Sequence, residues 1–431
     1  MFKAIFIKSA FFTYLILFYT LSFSQSLDKN TPTENPQIPY KASANPDRLI
    51  MGFGENPNSE RVFTWRTNTA EATQELQIAQ NDGSVDFHKD PNVFIANSVL
   101  FVSLQKDSAL YHSVKIENLI PNSSYSYRVG NGDNWSSWID FDTNIPEESF
   151  KFIYLGDAQN DLYSLWSRVV QSAWKKAPDA KFVMHVGDLI NHSQNDYEWA
   201  EWFWAGSSMI NSVPQIIVPG NHEYVKNENG EKIGISPLWN PHFNFPQNGP
   251  KELANTAYSV DYGNCRFIML NSNEQIENQV SWLEGKLKDN PHTWTVVMFH
   301  HPVISAAEGR INEGILRNWK PLLDKYKVDL VLQGHDHVYA RGNKVDSGLN
   351  EWDEASGTVY VVSVAGRKMY PISNHPWMQK KAHDLQTFQV ISVESNKLVF
   401  ESFKTDGTLF DKFELKKTPS GINELIEKLN Y

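Results

Sequence analysis

The sequence predicts an all-β sandwich followed by an α/β sandwich. Short alternating apolar and polar runs, separated by turn-forming residues, dominate the chain up to about Thr143, and this spacing is typical of a β-sandwich. From Ser149 onward, apolar strand-like runs alternate with segments of helical length, which favours a sheet covered by helices. A chain of 431 residues with 41% hydrophobic content is long enough for two such domains.

Four runs indicate the strands of the first domain: Val62–Trp65, Leu76–Ile78, Val114–Ile116 and Tyr125–Val129. The segment 119–127, which contains Tyr125 and Tyr127, resembles the tyrosine corner of fibronectin type III domains, and Trp65 is the expected core tryptophan. The aromatic residues here are therefore predicted to be core, although Trp135 and Trp138 are alternative ligand-facing groups.

Six strands are predicted in the second domain: Phe152–Leu155, Phe182–Val186, Gln215–Val218, Phe267–Leu270, Trp294–Phe299 and Val328–Leu332. Its helices are predicted at Ser164–Lys175, Gln275–Lys288 and Ile315–Tyr326. In such a fold, ligands bind beyond the carboxyl ends of the strands. The aromatic run 197–204 has helical spacing, so we expect core residues there, while Tyr224 and Trp377 are candidates for a pocket wall.

The two ends of the chain carry signals of their own. Residues 1–24 contain Lys3, Lys8 and a short apolar run ending in Ser22-Phe-Ser24, which predicts a signal peptide and a secreted or periplasmic protein; a membrane anchor is the alternative. Residues 25–44 are expected to be a linker. In the C-terminal tail, residues 417–431, the apolar spacing 422, 425, 426, 429 predicts a short amphipathic helix.

The charge balance excludes some partners. The net charge is −11, and removing two leader lysines leaves 37 basic against 50 acidic residues, about −13. This argues against nucleic acid or anionic lipid as the main partner. Cys265 is the single cysteine, so no intrachain disulfide can form, and its apolar neighbours predict a buried strand residue and not a nucleophile.

Five polar motifs directly follow apolar runs: Gly156-Asp157-Ala-Gln159-Asn160, Gly187-Asp188-Leu-Ile-Asn191-His192, Gly220-Asn221-His222-Glu223, His300-His301-Pro302, and Gly334-His335-Asp336-His337. A single Gly-Asp is usually only a turn. Five such motifs at successive strand ends would bring carboxylates, amides and imidazoles to one crevice, where they suit divalent or trivalent metal ions.

The order of these motifs resembles that of calcineurin-like metallophosphoesterases. The ending His335-x-His337-x-Tyr339-x-Arg341 is similar to purple acid phosphatases in particular, and the upstream fibronectin-like domain fits that branch. The resemblance covers roughly residues 45–415. It implies a fibronectin type III-like domain at 45–147 and a four-layer metallophosphoesterase sandwich at 148–416.

The resemblance also implies roles for individual residues. One metal ion would take Asp157, Asp188 and His337, and the other would take Asp188, Asn221, His300 and His335, so that Asp188 bridges the two. His222 is implied as the catalytic histidine that contacts phosphate or protonates the leaving oxygen. His301 and Arg341 are possible substrate-binding residues.

The chain departs from the family pattern at two places. The tyrosine that binds iron(III) is replaced by Asn191, and the histidine of other phosphoesterases is replaced by Gln159. Either amide could complete the first site or lie behind it, so two divalent or mixed-valence ions (Fe, Zn or Mn) are expected and the protein should not be purple. The loop after His301 lacks the extra histidines of the family, and Glu308, Arg310 and Asn312 are alternative substrate contacts or a solvated loop.

The resulting prediction is a dinuclear metal-dependent phosphoric ester hydrolase that acts on phosphomonoesters. A phosphodiesterase or nucleotidase that uses the same ions is one alternative. An exported binding protein with a vestigial metal site is the other. A phosphate ester is the expected partner, with no stable membrane span once the signal has been removed.

Overall fold

The computed structural model of the protein describes residues 38–70, 73–104, 106–143, 149–342, 357–419, 421 and 423–428. The predicted signal peptide therefore lies outside the described residues, as does most of the predicted linker. Within the described ranges, no helix combines the length and the apolar character that crossing a membrane requires.

The first domain is an all-β sandwich of nine strands in the described residues. They are β1 Asp47–Phe53, β2 Arg61–Thr67, β3 Glu75–Gln80, β4 Asn92–Ile95, β5 Asn97–Val102, β6 Ser108–Ile116, β7 Ser124–Asn131, β8 Asn134–Trp135 and β9 Ile139–Asp142. One sheet has the order β4-β3-β7-β8, with β9 also on β7, and β1-β2-β6-β5 belong to the other.

The sandwich core contains the tryptophan that the sequence predicts. Trp65 is 1% exposed and packs with Phe63 and Tyr127. The hydroxyl of Tyr125 accepts a hydrogen bond from the backbone N–H of Ile120 (2.9 Å), which is the tyrosine corner. Trp135 and Trp138 are half-buried and enclose the Arg128 guanidinium, 4.4 and 4.8 Å from their ring centres.

The second domain contains two further sets of strands with helices on both outer sides. Its elements are β10 Ser149–Leu155, α1 Ser167–Lys176, β11 Val183–His185, α2 Asp196–Ile210, β12 Gln215–Ile217, β13 Tyr224–Lys226, β14 Lys232–Ile235, α3 Trp239–His242, β15 Tyr258–Tyr262, β16 Cys265–Met269, α4 Val280–Lys288, β17 Trp294–Met298, α5 Glu313–Asn318, α6 Lys320–Lys325, β18 Leu330–Gln333, β19 Tyr339–Gly342, β20 Val359–Val362, β21 Lys380–Ala382, β22 Thr387–Glu394, β23 Lys397–Lys404, β24 Leu409–Lys417 and β25 Asn423–Glu427.

Two large sheets face each other across the main core. The first has the order β25-β24-β23-β22-β10-β11-β12-β1-β2-β6-β5, and the second has the order β15-β16-β17-β18-β20-β19-β21. Alternate residues of β16 show that its sheet is buried on both faces: Phe267 packs in the core between the sheets, and Ile268 packs with α4 to α6. With α1 and α2 against the first sheet, four layers result.

The first sheet runs through both domains. Strand β1 of the first domain pairs in parallel with β12 of the second, at Gly52 and Gln215. A buried ionic network reinforces this junction: Asp196, at the start of α2, accepts from Arg48 (2.7 Å) and Arg66 (3.1 Å) of the first domain. The two domains therefore share backbone pairing as well as side-chain contacts.

Two helix predictions need correction. The predicted helix Ile315–Tyr326 is divided into α5 and α6, because Pro321 lies in the first turn of α6 and has no N–H to continue the preceding helix. The predicted tail helix is wrong, since residues 423–427 form the edge strand β25 on β24. The prediction of core residues in the aromatic run is confirmed for Trp199 and Trp202, which are fully buried on α2, but not for Trp204, which is 49% exposed.

Candidate metal centre

The five polar motifs meet where the strands of the two facing sheets end. Asp157, Asp188 and Asn221 follow β10, β11 and β12, three neighbouring parallel strands of the first sheet. His300 and His335 follow β17 and β18, which are parallel neighbours in the second sheet. Because the carboxyl ends of both sets face the same crevice, residues far apart in sequence come together.

The first group consists of Asp157, Asp188 and His337, whose ligand atoms all lie within 4.8 Å of one another. His337 Nε2 is 3.2 Å from Asp157 Oδ2. The other ring nitrogen of His337 donates to the backbone carbonyl of Lys368 (3.0 Å). This hydrogen bond fixes the tautomer, so the unprotonated nitrogen faces the carboxylates.

The second group surrounds Nε2 of His300. This atom lies 3.2 Å from Asn221 Oδ1, 3.2 Å from His335 Nδ1 and 3.3 Å from Asp188 Oδ2. The other ring nitrogen of His300 donates to the backbone carbonyl of Val186 (2.9 Å). Asp188 thus belongs to both groups, as a bridging carboxylate would.

The ligand distances suit metal ions. Two neighbouring atoms bound to one ion at about 2.0–2.1 Å lie about 2.8–3.0 Å apart in octahedral geometry and about 3.3–3.4 Å apart in tetrahedral geometry. The four pairs just described measure 3.2–3.3 Å. In one of them, the pair of His337 Nε2 and Asp157 Oδ2, two acceptor atoms face each other, an arrangement that a cation between them would stabilise. The residues present therefore fit a pair of ions that share Asp188.

Backbone geometry sets these side chains in place. Asp188, His335 and His337 all have positive φ, at 49°, 71° and 51°, a conformation that non-glycine residues rarely adopt and that clusters at functional sites. Gly187 has φ +90°, and a Cβ there would lie 2.2 Å from the backbone nitrogen of Gly220. Glycine is therefore required at 187 both for conformation and for close approach.

Glu223 ties two of the strand-end turns together. Its carboxylate is completely buried and accepts from the backbone N–H groups of Asp188 (2.8 Å), Leu189 (2.8 Å) and Gly220 (2.7 Å). Burial and the nearby charge of Asp188 raise the pKa of Glu223 to about 8. Glu223 thus holds the turn of Asp188 against the turn of Asn221.

The electrostatics of the two groups are coupled. Burial lowers the pKa of His335 and of His337 well below the usual value, so both rings are neutral and can offer a lone pair. Burial opposes protonation of His300 too, but the carboxylates of Asp188 and Asp157 outweigh it and raise its pKa to about 9. Burial raises the pKa of Asp157 to about 7. In the protein alone, a proton thus provides part of the positive charge that the carboxylates require.

His222 lies beside the bridging carboxylate. Its Nδ1–H donates to the carbonyl of Asn191 (2.6 Å), and its Nε2 lies 4.0 Å from Asp188 Oδ2 and 3.3 Å from Lys368 Nζ. Burial lowers the pKa of His222. The neutral ring therefore turns its acceptor nitrogen toward the crevice and toward the lysine.

The two amides that replace family ligands meet at this side of the site. The Gln159 side chain is fully buried and lies 3.2 Å from Asn191 Oδ1. The amide of Gln159 can be oriented so that both its nitrogen and its oxygen have hydrogen-bond partners. In that orientation its nitrogen donates to Asp188 Oδ2 (3.2 Å) and its oxygen accepts from Lys368 Nζ (2.9 Å). The amides of Gln159 and Asn191 thus lie beside the first group of ligands, and Lys368 lies next to Gln159.

The structure places His301 in the site but does not bring Arg341 there. His301 groups with His300 and His335, and its Nδ1 accepts from the Ser272 hydroxyl (2.9 Å). The Arg341 guanidinium is instead buried against Asp411 (2.9 and 3.0 Å) and Glu427 (2.5 and 2.9 Å) in the first sheet. This corrects the expectation of a substrate contact at Arg341.

Two other predictions have clear outcomes. Trp377 is 1% exposed and packs in the core beneath α4 to α6, so it is not a pocket wall, whereas Tyr224 does line a cavity beside His222.

Arg310 donates to the backbone carbonyl of His335 (2.7 Å) and stacks on Tyr370. Arg310 is therefore part of the site's surroundings and not of a freely solvated loop.

The sequence did not indicate Lys368, which the structure brings to the candidate site. It follows β20 without any recognisable motif, yet its side chain is only 6% exposed and reaches His222 and Gln159. The sequence did point to Glu223, because it ends the Gly220-Asn-His-Glu motif, but the backbone N–H groups that it accepts from could not be predicted from the sequence.

Comparison with known proteins agrees with this architecture. The profile of the calcineurin-like phosphoesterase family matches residues 150–339, and the profile of the purple acid phosphatase N-terminal domain matches residues 46–143. Among solved structures, a purple acid phosphatase from yellow lupin (Lupinus luteus) seeds matches with a TM-score of 0.74 over 88% of this chain and 75% of that chain. At 20% identity, that match supports the fold.

Curated relatives match with low identity. The chain is 25% identical over 367 residues to "Probable inactive purple acid phosphatase 24" of Arabidopsis thaliana, which covers 72% of this chain and 58% of the relative. It is 26% identical over 329 residues to acid phosphatase type 7 of Mus musculus, which covers 69% and 70%. The chain thus spans less than two thirds of the length of the plant relative.

Proposed function

We propose that this chain is a purple acid phosphatase-like member of the calcineurin-like metallophosphoesterase superfamily and that it hydrolyses phosphoric esters, chiefly phosphomonoesters, with two metal ions. The observation that carries the proposal is the set of facing ligand atoms at 3.2–3.3 Å, with Asp188 common to both groups. A structural ion pair or a turn would not require the neutral imidazole of His337 to present its free nitrogen to the carboxylate of Asp157.

Asp157, Asp188 and His337 would hold one ion, and Asp188 with Asn221, His300 and His335 would hold the other. Two bound ions supply Lewis-acid polarisation of the phosphoryl group and a nucleophile near neutral pH. Fe, Zn and Mn suit mixed imidazole and carboxylate ligands. Neutral amides at Gln159 and Asn191, together with the ammonium of Lys368, favour a divalent ion over iron(III) in the first group.

The protein's own residues orient the ester and manage its charge. Lys368 carries a fixed positive charge at the edge of the crevice, where it can donate to a phosphoryl oxygen. His222 Nε2 accepts from Lys368 at 3.3 Å and is placed to exchange a proton with the leaving oxygen. Hydrogen bonds from His300 and His337 to backbone carbonyls hold the two imidazoles in their orientations.

The main competing function is metal binding without turnover. Two observations favour it: the amides at Gln159 and Asn191, and the word "inactive" in the name of one relative. A phosphodiesterase or nucleotidase would use the same residues. We also propose export through the predicted signal peptide at residues 1–24.

Elemental analysis combined with a substrate panel tests the proposed function. We expect about two ions per chain and hydrolysis of p-nitrophenyl phosphate in preference to bis(p-nitrophenyl) phosphate. Asp188→Ala should abolish hydrolysis and reduce the bound metal, because it removes a ligand from both groups. Asp289→Ala, an exposed position at the end of α4, is the matched control. Two bound ions without hydrolysis would support the binding function, and a preference for the diester would support the phosphodiesterase.

A further inference from the structure

A cavity of about 550 Å³ adjoins the catalytic candidate His222. Its walls come from residues 191–195, from His222, from β13 (Tyr224–Lys226) and from Leu104 of the first domain. None of the six predicted metal ligands lines it. A volume of this size holds an organic group larger than a phosphoryl group, so the space suits the remainder of a substrate whose phosphate lies at the metals.

The cavity carries a positive charge that no neighbouring acid neutralises. Within the described ranges, no carboxylate lies within 4 Å of the exposed Lys226 ammonium. The carboxylate of Glu198 is directed at another wall of the cavity, where it accepts from the His192 ring (2.6 Å) and from the backbone N–H groups of Asn191 and His192 (both 2.7 Å). On a chain of net charge −11, a cation without an acid partner in a cavity points to an anionic ligand.

The remaining walls are mixed in character. Leu104 is 67% exposed in the free protein and offers an apolar surface. The hydroxyl of Tyr224 donates to Glu274 (2.5 Å) and accepts from Asn271 (2.8 Å), so the ring is the part left for a ligand. An organic scaffold that carries an anion fits this combination better than inorganic phosphate does.

We propose that this cavity is the leaving-group subsite and that it selects phosphate esters whose leaving group bears a second phosphate, which pairs with Lys226. This inference rests on the proposed function. In this hydrolysis the P–O bond to the leaving group breaks and the oxygen of water becomes part of the released inorganic phosphate. One proton of that water passes to the leaving oxygen, so the leaving group departs as an alcohol with its second phosphate intact.

Fructose 1,6-bisphosphate and fructose 1-phosphate are a matched pair of probes. We expect kcat/KM at pH 7 to be about tenfold higher for the bisphosphate: about fivefold from an exposed charge pair and twofold from its two cleavable phosphates. In Lys226→Met the ratio should fall to about two, with fructose 1-phosphate turnover unchanged. Lys288→Met, an exposed lysine in the last turn of α4, should retain the tenfold ratio.

Equilibrium binding separates failure of the subsite from failure of the proposed function. If the metal-loaded protein does not hydrolyse p-nitrophenyl phosphate, the proposed function is wrong, but calorimetry with the same two sugar phosphates still tests the cavity. The bisphosphate should then bind about tenfold more tightly than the monophosphate, from the same two factors, and Lys226→Met should reduce the difference to about twofold. Equal ratios in the unaltered protein and in Lys226→Met, by kinetics or by binding, would overturn the subsite.

Discussion

Lys368 Nζ lies 3.3 Å from Nε2 of His222, on the side of the ring that faces the bridging Asp188. The opposite ring nitrogen of His222 is committed to the carbonyl of Asn191. Lys368 is therefore the donor in this contact and His222 the acceptor. An ammonium and an imidazole thus form one unit at the edge of the candidate metal centre, although 146 residues separate them.

Replacing Lys368 with Met should lower kcat/KM for p-nitrophenyl phosphate by about 10- to 100-fold, because a hydrogen bond from a charged group contributes about 1.5–3 kcal/mol. Lys368→Arg keeps the charge and should recover part of the loss. Thermal unfolding of both variants separates this effect from misfolding. Unchanged kcat/KM in a folded Lys368→Met protein would contradict a role in the reaction.

Glu223→Ala should weaken metal retention and destabilise the fold. The substitution leaves three buried N–H groups without their acceptor, and each such loss costs about 1–3 kcal/mol. Glu223→Gln keeps one acceptor oxygen and should have a smaller effect on both properties. Metal content after dialysis and urea unfolding measure the two effects; equal metal content in Glu223→Ala and the unaltered protein would show that the turns hold without Glu223.

The candidate centre is visible in the sequence because strand exits leave a local signal. An apolar run followed by glycine and an acid, amide or imidazole indicated Asp157, Asp188, Asn221 and His335, and an apolar run followed directly by imidazole indicated His300. The structure brings these five side chains together. Lys368 has no such signal, since its position depends on where the chain returns after β20. Sequence patterns thus located the residues that directly follow strands, but they did not locate Lys368, which reaches the site from the segment after β20.

The expected substrate contact at Arg341 and the expected tail helix are both excluded by the contact between Arg341 and Glu427. Arg341 is four residues beyond His337, about 13 Å along an extended chain, and its guanidinium meets Glu427 at 2.5 Å. Glu427 belongs to β25, where a tail helix was expected. Open backbone groups on β24 and the buried arginine favour the strand over the helical spacing of the tail, and neither partner is visible from the sequence around the other.

Asp196→Ala should destabilise the protein by about 3–5 kcal/mol, since removing one partner of a buried ion pair leaves an uncompensated charge. Here Arg48 and Arg66 would both lose a carboxylate. Arg317→Ala breaks an exposed pair with Glu313 and should cost less than about 1 kcal/mol. Urea unfolding monitored by tryptophan fluorescence compares the two; similar losses would show that the buried network adds little.

Stability should decline in mild acid. Burial lowers the pKa of His112 and of His185 to about 4, while in the unfolded chain each titrates near 6.5. Between pH 4 and pH 6.5 these histidines bind protons in the unfolded chain but not in the folded protein. Stability is therefore complete above about pH 6.5 and falls toward pH 4, by up to roughly 3 kcal/mol for each histidine.

His185→Gln tests this pH dependence. At pH 5 the unaltered protein should have lost about 2 kcal/mol through His185 relative to pH 7, and the variant should lose less by that amount. His383→Gln, at an exposed position (57%), should follow the unaltered protein. Identical pH profiles for His185→Gln and the unaltered protein would contradict the buried neutral ring.

The pairing of β1 with β12 has a consequence for how this chain could have been assembled. A domain joined only by a linker can be exchanged or lost without exposing backbone, but cutting here would leave β12 as an open edge. Such an edge recruits foreign strands, and β12 leads directly into the turn that carries Asn221. The two halves are therefore expected to be inherited as one unit, with the first acting as a permanent cover for the strand that precedes a metal ligand.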